Sequence, residues 1–207
     1  MARNMKISIV GETGVGKSAI VNRFVYGVFN QNLPQNEGGA FFTKQMNIDG
    51  QIVNMAIWDT AGQEQFRTLA PMYYTDAQAV IIVFSVGNPN PSVNTSRSSF
   101  EAIDFWYNQI RDHNDEALII LCGSMDDLEQ REITFNEGEL KAKTIPDFVD
   151  YFETSSLNGD GIEAMFQSIA EKCVASCTSE PKTIKLCRSY DVNSDPTAYK
   201  NVQGCRC

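Results

Sequence analysis

The sequence has little positive charge. Its 207 residues include 17 lysines and arginines against 26 aspartates and glutamates, a formal net charge of -9. Proteins that bind nucleic acid gain much of their affinity by neutralising phosphates with a surplus of lysine and arginine. The composition therefore argues against a general nucleic-acid-binding protein, and any affinity for phosphate has to be local.

Long apolar runs are also missing. No segment reaches the roughly 20 apolar residues of a membrane-spanning helix, and residues 1–10 lack the apolar stretch and cleavage site of a signal peptide. We therefore expect a cytosolic protein without an N-terminal anchor. The apolar fraction of 43% allows one sizeable core. We predict one domain over residues 1–177 and a disordered tail over residues 178–207, where hydrophobic periodicity ends.

The chain has no convincing zinc-binding pattern. It contains six cysteines and one histidine, and their spacing does not give a four-ligand set. Six cysteines without a leader sequence indicate a reducing compartment rather than a disulfide framework. Cys122 and Cys173 lie within apolar patterns, so we interpret both as small core residues.

Short apolar segments alternate with helical patterns along the chain. Asp49-Gly50 suits a tight turn between two antiparallel strands. The predicted strands are 6–10, 42–48, 52–58, 79–86, 117–123 and 150–154, and the predicted helices are 19–26, 98–111, 136–143 and 162–176.

This alternation predicts an α/β fold, a three-layer α/β/α sandwich. Its centre is a mostly parallel six-stranded sheet with one antiparallel edge strand. In such folds ligands gather at the carboxyl ends of the strands. The polar, turn-rich residues 87–99 are predicted to be an exposed insertion.

A glycine loop lies at the first strand-to-helix junction. Residues 11–18 read GETGVGKS and match the phosphate-binding pattern G-x-x-x-x-G-K-[ST]. The glycines let several N–H groups face one phosphate, the helix start adds its positive end, and Lys17 adds a charge. The Ser18 hydroxyl is placed to ligate Mg²⁺. The predicted phosphate-binding residues are Gly11, Thr13, Gly14, Val15, Gly16, Lys17, Ser18 and Ala19.

A second motif, DTAGQE at residues 59–64, follows the strand that ends at Trp58. The two motifs together resemble the Ras superfamily of small GTPases, and WDTAGQE followed by PMYY resembles its Rab branch, over about residues 5–175. This resemblance implies GTP and GDP binding with Mg²⁺, and slow GTP hydrolysis that an activating protein accelerates with an arginine. It implies that Asp59 acts on Mg²⁺, that the Gly62 N–H meets the γ-phosphate, and that Gln63 orients the attacking water. Gln63 and Lys17 are thus the expected catalytic residues.

The guanine-reading segment departs from the family pattern. Where the family has Asn-Lys-x-Asp, this chain has Ser124-Met125-Asp126-Asp127, and the resemblance assigns guanine recognition to Asp127. We predict that the shorter Ser124 loses a bond to the glycine loop and weakens nucleotide binding by ~1 kcal/mol. We predict that the Met125 stem lies over the base.

Three further residues are expected at the base. Ser155 and Ser156 stand where the resemblance implies a backbone N–H contact with guanine. Phe29 stands where the family stacks an aromatic ring on the base, and the alternative is an ordinary core phenylalanine.

The first switch segment also differs. The family places a Mg²⁺-binding threonine where this chain has Asn36. An asparagine carbonyl can ligate Mg²⁺, but it has to be held in near-octahedral geometry beside the permissive Gly38 and Gly39. This substitution motivates an alternative function, a pseudo-GTPase that acts as a binding module with weak or absent nucleotide exchange and hydrolysis. A P-loop phosphotransferase would need a lid and a second substrate site, which the sequence does not offer.

An aromatic triad is expected to face partner proteins. Phe41, Trp58 and Tyr73 match the positions of such a triad in Rab proteins; the alternative is that all three pack beneath the switches. The resemblance implies effector proteins, an exchange factor, a GTPase-activating protein and a GDP-dissociation inhibitor as partners of a monomer.

The C-terminus resembles a doubly geranylgeranylated Rab tail. Cys205 and Cys207 form a Cys-x-Cys ending rather than a CaaX box, and two lipids give stable membrane attachment where one gives marginal attachment. The alternative is two unmodified thiols. We expect a membrane-anchored GTP/GDP switch that recruits effectors in vesicle trafficking, cycling between the cytoplasm and the cytosolic face of intracellular membranes.

Overall fold

Six strands form a single sheet in this computed structural model, which describes residues 3–30, 39–60, 70–87 and 96–176. The strands are β1 (Arg3–Val10), β2 (Gly39–Ile48), β3 (Gln51–Thr60), β4 (Ala79–Ser85), β5 (Leu118–Ser124) and β6 (Phe148–Thr154). Their order is β2-β3-β1-β4-β5-β6. Only β2 runs antiparallel to its neighbour, at the edge of the described sheet. The predicted sheet is confirmed.

Helices cover both faces of this sheet. They are α1 (Lys17–Tyr26), α2 (Ala70–Tyr74), α3 (Ser96–Glu101), α4 (Ile103–Arg111), α5 (Phe135–Thr144) and α6 (Ile162–Ser176). The apolar side chains of α1 and α6 pack into one core, and those of α2, α4 and α5 pack into a second core on the opposite face. The three-layer α/β/α arrangement is therefore confirmed. Within the described residues, no helix is both long and apolar enough to span a bilayer.

Strand β4 lies between the two cores and contributes side chains to both. Ile81 and Val83 point into the first core, while Ile82 and Phe84 point into the second. A strand buried on both faces is apolar at every position. Cys122 and Cys173 also lie buried in the first core and form no disulfide within the described residues, which confirms their interpretation as core residues.

The β2–β3 hairpin closes at the predicted turn. Asp49 and Gly50 have φ angles of 50° and 84°, the positive values that a two-residue turn needs to match the twist of its strands. This turn sets the register, and Phe41 lies opposite Trp58 as a result.

The structure corrects the sequence predictions around residues 87–101. The predicted exposed insertion is helical from Ser96, and Ser96 and Ser99 are buried. The Ser99 hydroxyl can be buried because it donates to the Ser96 carbonyl at 2.8 Å and accepts from the Ser85 N–H at 3.1 Å. The predicted helix 98–111 is also divided, since Ala102 separates α3 from α4. Helix α2 was not predicted.

Candidate functional site

The glycine loop connects the carboxyl end of β1 to α1. Gly11 has a φ of 140°, and a Cβ at this position would collide with the Val83 carbonyl. Gly16 has a φ of 88° and precedes the first helical residue. Both positions favour glycine because other residues rarely adopt these angles. The loop can therefore run close against β4 and still turn into the helix.

The first turn of α1 can bind an anion. No side-chain hydrogen bond caps the helix at Gly16, and its first turn contains no acidic residue. The first N–H groups of a helix have no partner within the helix, and they carry its positive end. Phosphate is the kind of ligand that such an end binds.

Lys17 lies across the mouth of the loop. Its Nζ donates to the carbonyls of Gly11 and Glu12, at 2.9 and 2.7 Å. Burial lowers the pKa of Lys17 to about 8, against the opposing effect of the Asp59 and Glu12 carboxylates. A buried ammonium group gains from an anionic ligand, so the loop holds a positive charge where a phosphate would lie.

Two oxygen donors lie next to Lys17. The Ser18 hydroxyl donates to Asp59 Oδ2 at 2.6 Å, and the Asp59 side chain, at the end of β3, is 1% exposed. A hydroxyl and a carboxylate are the hard ligands that Mg²⁺ prefers. The residues present therefore fit a magnesium ion beside the phosphate-binding loop.

The base-reading segments lie together at the ends of β5 and β6. The Ser155 hydroxyl donates to Asp127 Oδ1 at 2.6 Å, and the Asp126 N–H donates to the Thr154 carbonyl at 3.2 Å. Met125 has a φ of 62°, a left-handed conformation that residues other than glycine seldom adopt. The turn leaves Asp127 exposed while Ser155 is buried.

The prediction that Ser124 loses its bond to the glycine loop is wrong. The Ser124 Oγ lies 2.6 Å from the Val15 carbonyl and 2.9 Å from the Phe84 carbonyl, and it donates to these oxygens. A side chain as short as serine reaches the loop because Ser124 is the last residue of β5 and is buried directly against it. The hydrogen bond between Ser124 of the base-reading segment and Val15 of the phosphate loop is therefore present.

Met125 and Phe29 are the two side chains expected to lie against the base. The Met125 Sδ accepts from the Ser85 hydroxyl at 3.3 Å, and its Cε lies 3.7 Å from the point that a Cβ on Gly16 would occupy. The side chain thus reaches the phosphate loop, and its stacking on a base stays a prediction. Phe29 is half-buried and belongs to neither core.

The aromatic triad forms a continuous patch. The ring centroids of Phe41 and Trp58 lie 5.0 Å apart, and those of Trp58 and Tyr73 lie 5.8 Å apart. Phe41 is 47% exposed, while Trp58 and Tyr73 are half-buried. The patch is open to a partner on the side of Phe41.

Several predicted site residues lie outside the described ranges. These are Asn36, Gly62, Gln63, Cys205 and Cys207. The predicted tail, 178–207, lies outside them as well.

Sequence reasoning missed one contact of the phosphate loop. The Trp106 Nε1 donates to Glu12 Oε1 at 3.1 Å, and Trp106 is 2% exposed. The two residues are 94 positions apart, so no local pattern could have revealed the contact.

The fold and this site define a P-loop nucleotide-binding α/β protein. Residues 6–175 match the family model described as the Ras family. The chain is 36% identical to the Ras-related protein Rab-18 of Caenorhabditis briggsae over 206 residues, 97% of this chain and 95% of that protein. It is 36% identical to the Ras-related protein SEC4 of Saccharomyces cerevisiae over 81% of this chain and 74% of that protein. Identity to the Ras-related protein Rab-31 of Rattus norvegicus is 36%, over 82% of this chain and 83% of that protein.

The chain therefore belongs to the Ras family of small GTPases, in its Rab branch. Proteins of this family bind guanine nucleotides with Mg²⁺ and hydrolyse GTP.

Proposed function

We propose that this protein is a membrane-anchored GTP/GDP switch that recruits effector proteins in vesicle trafficking. The observation that carries the proposal is the arrangement of Lys17, Ser18 and Asp59 around the uncapped start of α1. The acidic Asp127 lies two strands away in the same sheet edge, beside Ser155. Phosphates and a guanine base can thus be bound by one continuous edge.

Each group has a distinct part in binding. The N–H groups of the loop and of the first turn of α1 donate to phosphate oxygens, and the Lys17 ammonium moves from the loop carbonyls to the phosphates. Ser18 and Asp59 would hold Mg²⁺, which supplies positive charge to the phosphate oxygens. Asp127 accepts from the N–H donors on the guanine edge, and adenine presents the wrong pattern there.

Hydrolysis is slow in this proposal. Phosphoryl transfer depends mainly on positioned charge and an aligned water, and Gln63 would orient that water. The missing positive charge comes from an activating protein, whose arginine would accelerate hydrolysis by ~10³ to 10⁵. GTP orders the switch segments, and hydrolysis releases them together with bound effectors.

The proposal extends to the membrane and to partner proteins, and the family resemblance supports it. Cys205 and Cys207 would carry two geranylgeranyl groups, and a GDP-dissociation inhibitor would shield these lipids while the protein cycles through the cytosol. The triad of Phe41, Trp58 and Tyr73 would provide aromatic anchors for effectors.

Nucleotide titration with single-turnover hydrolysis tests the proposal. Purified protein at millimolar Mg²⁺ should bind GDP and a GTP analogue and should hydrolyse GTP slowly. Lys17→Ala should abolish measurable binding, while Lys143→Ala, a lysine exposed on α5, should leave it unchanged. Failure of the wild-type protein to bind either nucleotide would leave the pseudo-GTPase as the function.

The first switch has its own test. Asn36→Thr should strengthen binding of the GTP analogue relative to GDP if the asparagine weakens nucleotide discrimination. A ratio of the two affinities that the substitution leaves unchanged would contradict that hypothesis.

A further inference from the structure

Arg131 joins two acidic side chains beside the base-reading segments. Its NH1 lies 2.5 Å from Asp126 Oδ1, and its NH2 lies 2.6 Å from Glu153 Oε1. Asp126 precedes the base-reading Asp127, and Glu153 stands two residues before Ser155. One guanidinium group therefore connects the ends of β5 and β6, the two strands that deliver the base-reading residues.

The guanidinium group is held in place by its own surroundings. Its Nε and NH2 donate to the Ile133 carbonyl at 3.3 and 3.2 Å, and the Arg131 backbone forms an isolated bridge with Gly87. The Tyr151 hydroxyl donates to Glu153 Oε1 at 2.6 Å. Side-chain exposure is 30% for Arg131 and 9% for Glu153. Side-chain exposure of Asp126 is 37%, so water screens the Arg131–Glu153 pair less than a surface ion pair and the Arg131–Asp126 pair more than the Arg131–Glu153 pair.

Without Arg131, the carboxylates of Asp126 and Glu153 would repel each other. Burial and the Glu153 charge raise the pKa of Asp126, and the Arg131 charge lowers it. The Tyr151 hydroxyl contacts Glu153, and the buried Cys122 thiol interacts electrostatically with it; neither group carries positive charge. The segment Ser124–Asp127 contains no cation of its own.

Peptide bonds and hydrogen bonds connect Asp126 and Glu153 to the base-reading residues Asp127 and Ser155. Asp126 is followed by Asp127, which accepts from Ser155. Ser155 is connected through Thr154 to Glu153, and the Thr154 carbonyl accepts from the Asp126 N–H. Repulsion between Asp126 and Glu153 would push apart the two segments that these bonds join.

We propose that Arg131 is a positioning residue for guanine binding, which holds Asp127 against Ser155 by neutralising Asp126 and Glu153. It does not touch the nucleotide. The inference rests on the proposed function, because it concerns how this chain holds its base-reading residues.

The test is the rate at which the full-length protein releases a fluorescent GDP analogue, measured by stopped flow with Mg²⁺ between pH 5.5 and 8. Arg131→Gln should release the analogue about tenfold faster than wild type at pH 8, the effect of losing one charge-assisted contact. Arg97→Gln is the matched control, because Arg97 also pairs with a carboxylate, that of Glu137, but at an exposed position. Its release rate should equal that of wild type.

Two readouts separate positioning from a general loss of stability. In Arg131→Gln, release should slow as the pH falls, because a proton on Asp126 removes the repulsion, while wild type should change little. Adding Asp126→Asn to Arg131→Gln should restore most of the wild-type rate. A flat pH profile, or no restoration, would overturn the inference.

The remaining outcomes are also decisive. If Arg131→Gln does not fold, Arg131→Lys decides, because lysine keeps the charge but loses the fixed fork of N–H donors that contacts Asp126 and Glu153 together. Release should then be faster than wild type, but by less than tenfold, and an unchanged release rate there would contradict the positioning role. If the wild-type protein binds no GDP, the proposed function itself is contradicted. If the wild-type protein binds GDP and Arg131→Gln releases the analogue at the wild-type rate, only this inference is contradicted.

Discussion

Ser124 shows how one hydroxyl can replace a longer amide at the junction of two loops. Its Oγ donates to carbonyls on both sides, those of Val15 in the glycine loop and Phe84 in β4. The side chain is 2% exposed, so these oxygens have little access to water. Breaking such a buried bond leaves a carbonyl without a partner, which destabilises more than the bond itself contributes.

Ser124→Ala should therefore lower the free energy of unfolding by ~1 kcal/mol and weaken GDP binding by a similar amount. Chemical denaturation and nucleotide titration would measure the two effects. Thr144→Ala is a suitable control, because the Thr144 hydroxyl donates to a carbonyl at an exposed site on α5. A GDP affinity unchanged by Ser124→Ala would show that the tie to Val15 does not support the loop.

Among the elements, the β2–β3 hairpin has the clearest link to function. It carries Phe41 and Trp58 on opposite strands, and its register places them side by side. Shifting one strand by a single residue would turn every side chain to the other face. The geometry of the aromatic patch thus depends on a turn at the far end of the hairpin.

Gly50→Ala should lower the free energy of unfolding by about 1 kcal/mol, because alanine is strained at positive φ. The cause would be backbone strain alone, since no atom lies within 4 Å of the added Cβ. Asp49→Asn should have little effect, because asparagine tolerates positive φ. Urea denaturation of the three proteins would check both, and equal stability of Gly50→Ala and wild type would contradict the assigned turn.

At the scale of the whole molecule, the site is assembled from segments far apart in the chain. The glycine loop, Asp59, Ser124–Asp127 and Ser155 lie at the carboxyl ends of four different strands of one sheet. A ligand that contacts all of them binds the folded state and not the unfolded chain. Folding and nucleotide binding are therefore coupled.

GDP with Mg²⁺ should accordingly stabilise the protein by about 2.7 kcal/mol at a hundredfold excess over its dissociation constant. For a chain of this size, that free energy corresponds to a rise in Tm of roughly 5 to 10 °C. Differential scanning calorimetry would measure the rise, which chelation of Mg²⁺ should reduce. Lys17→Ala should not respond to GDP, and an equal rise in that variant would argue against binding at the glycine loop.

Much of the fold followed from local patterns. Alternating apolar segments and helical patterns predicted the sheet, and Asp49-Gly50 predicted the hairpin. Both signals are local, because a turn and a strand buried on two faces each depend on the types of residues next to one another in the chain. The GETGVGKS segment indicated the phosphate loop for the same reason. Helix α2, only five residues long, has too little periodicity to be predicted.

The sequence by itself determined the class of fold, the phosphate loop and the family resemblance, since each depends on residues close together in the chain. Only the tertiary structure decided which distant groups meet. Ser124 reaches Val15, Trp106 reaches Glu12, and Arg131 bridges two strands. Such contacts depend on distances across the folded sheet, and hydrogen bonds form within about 3 Å whatever the separation along the chain.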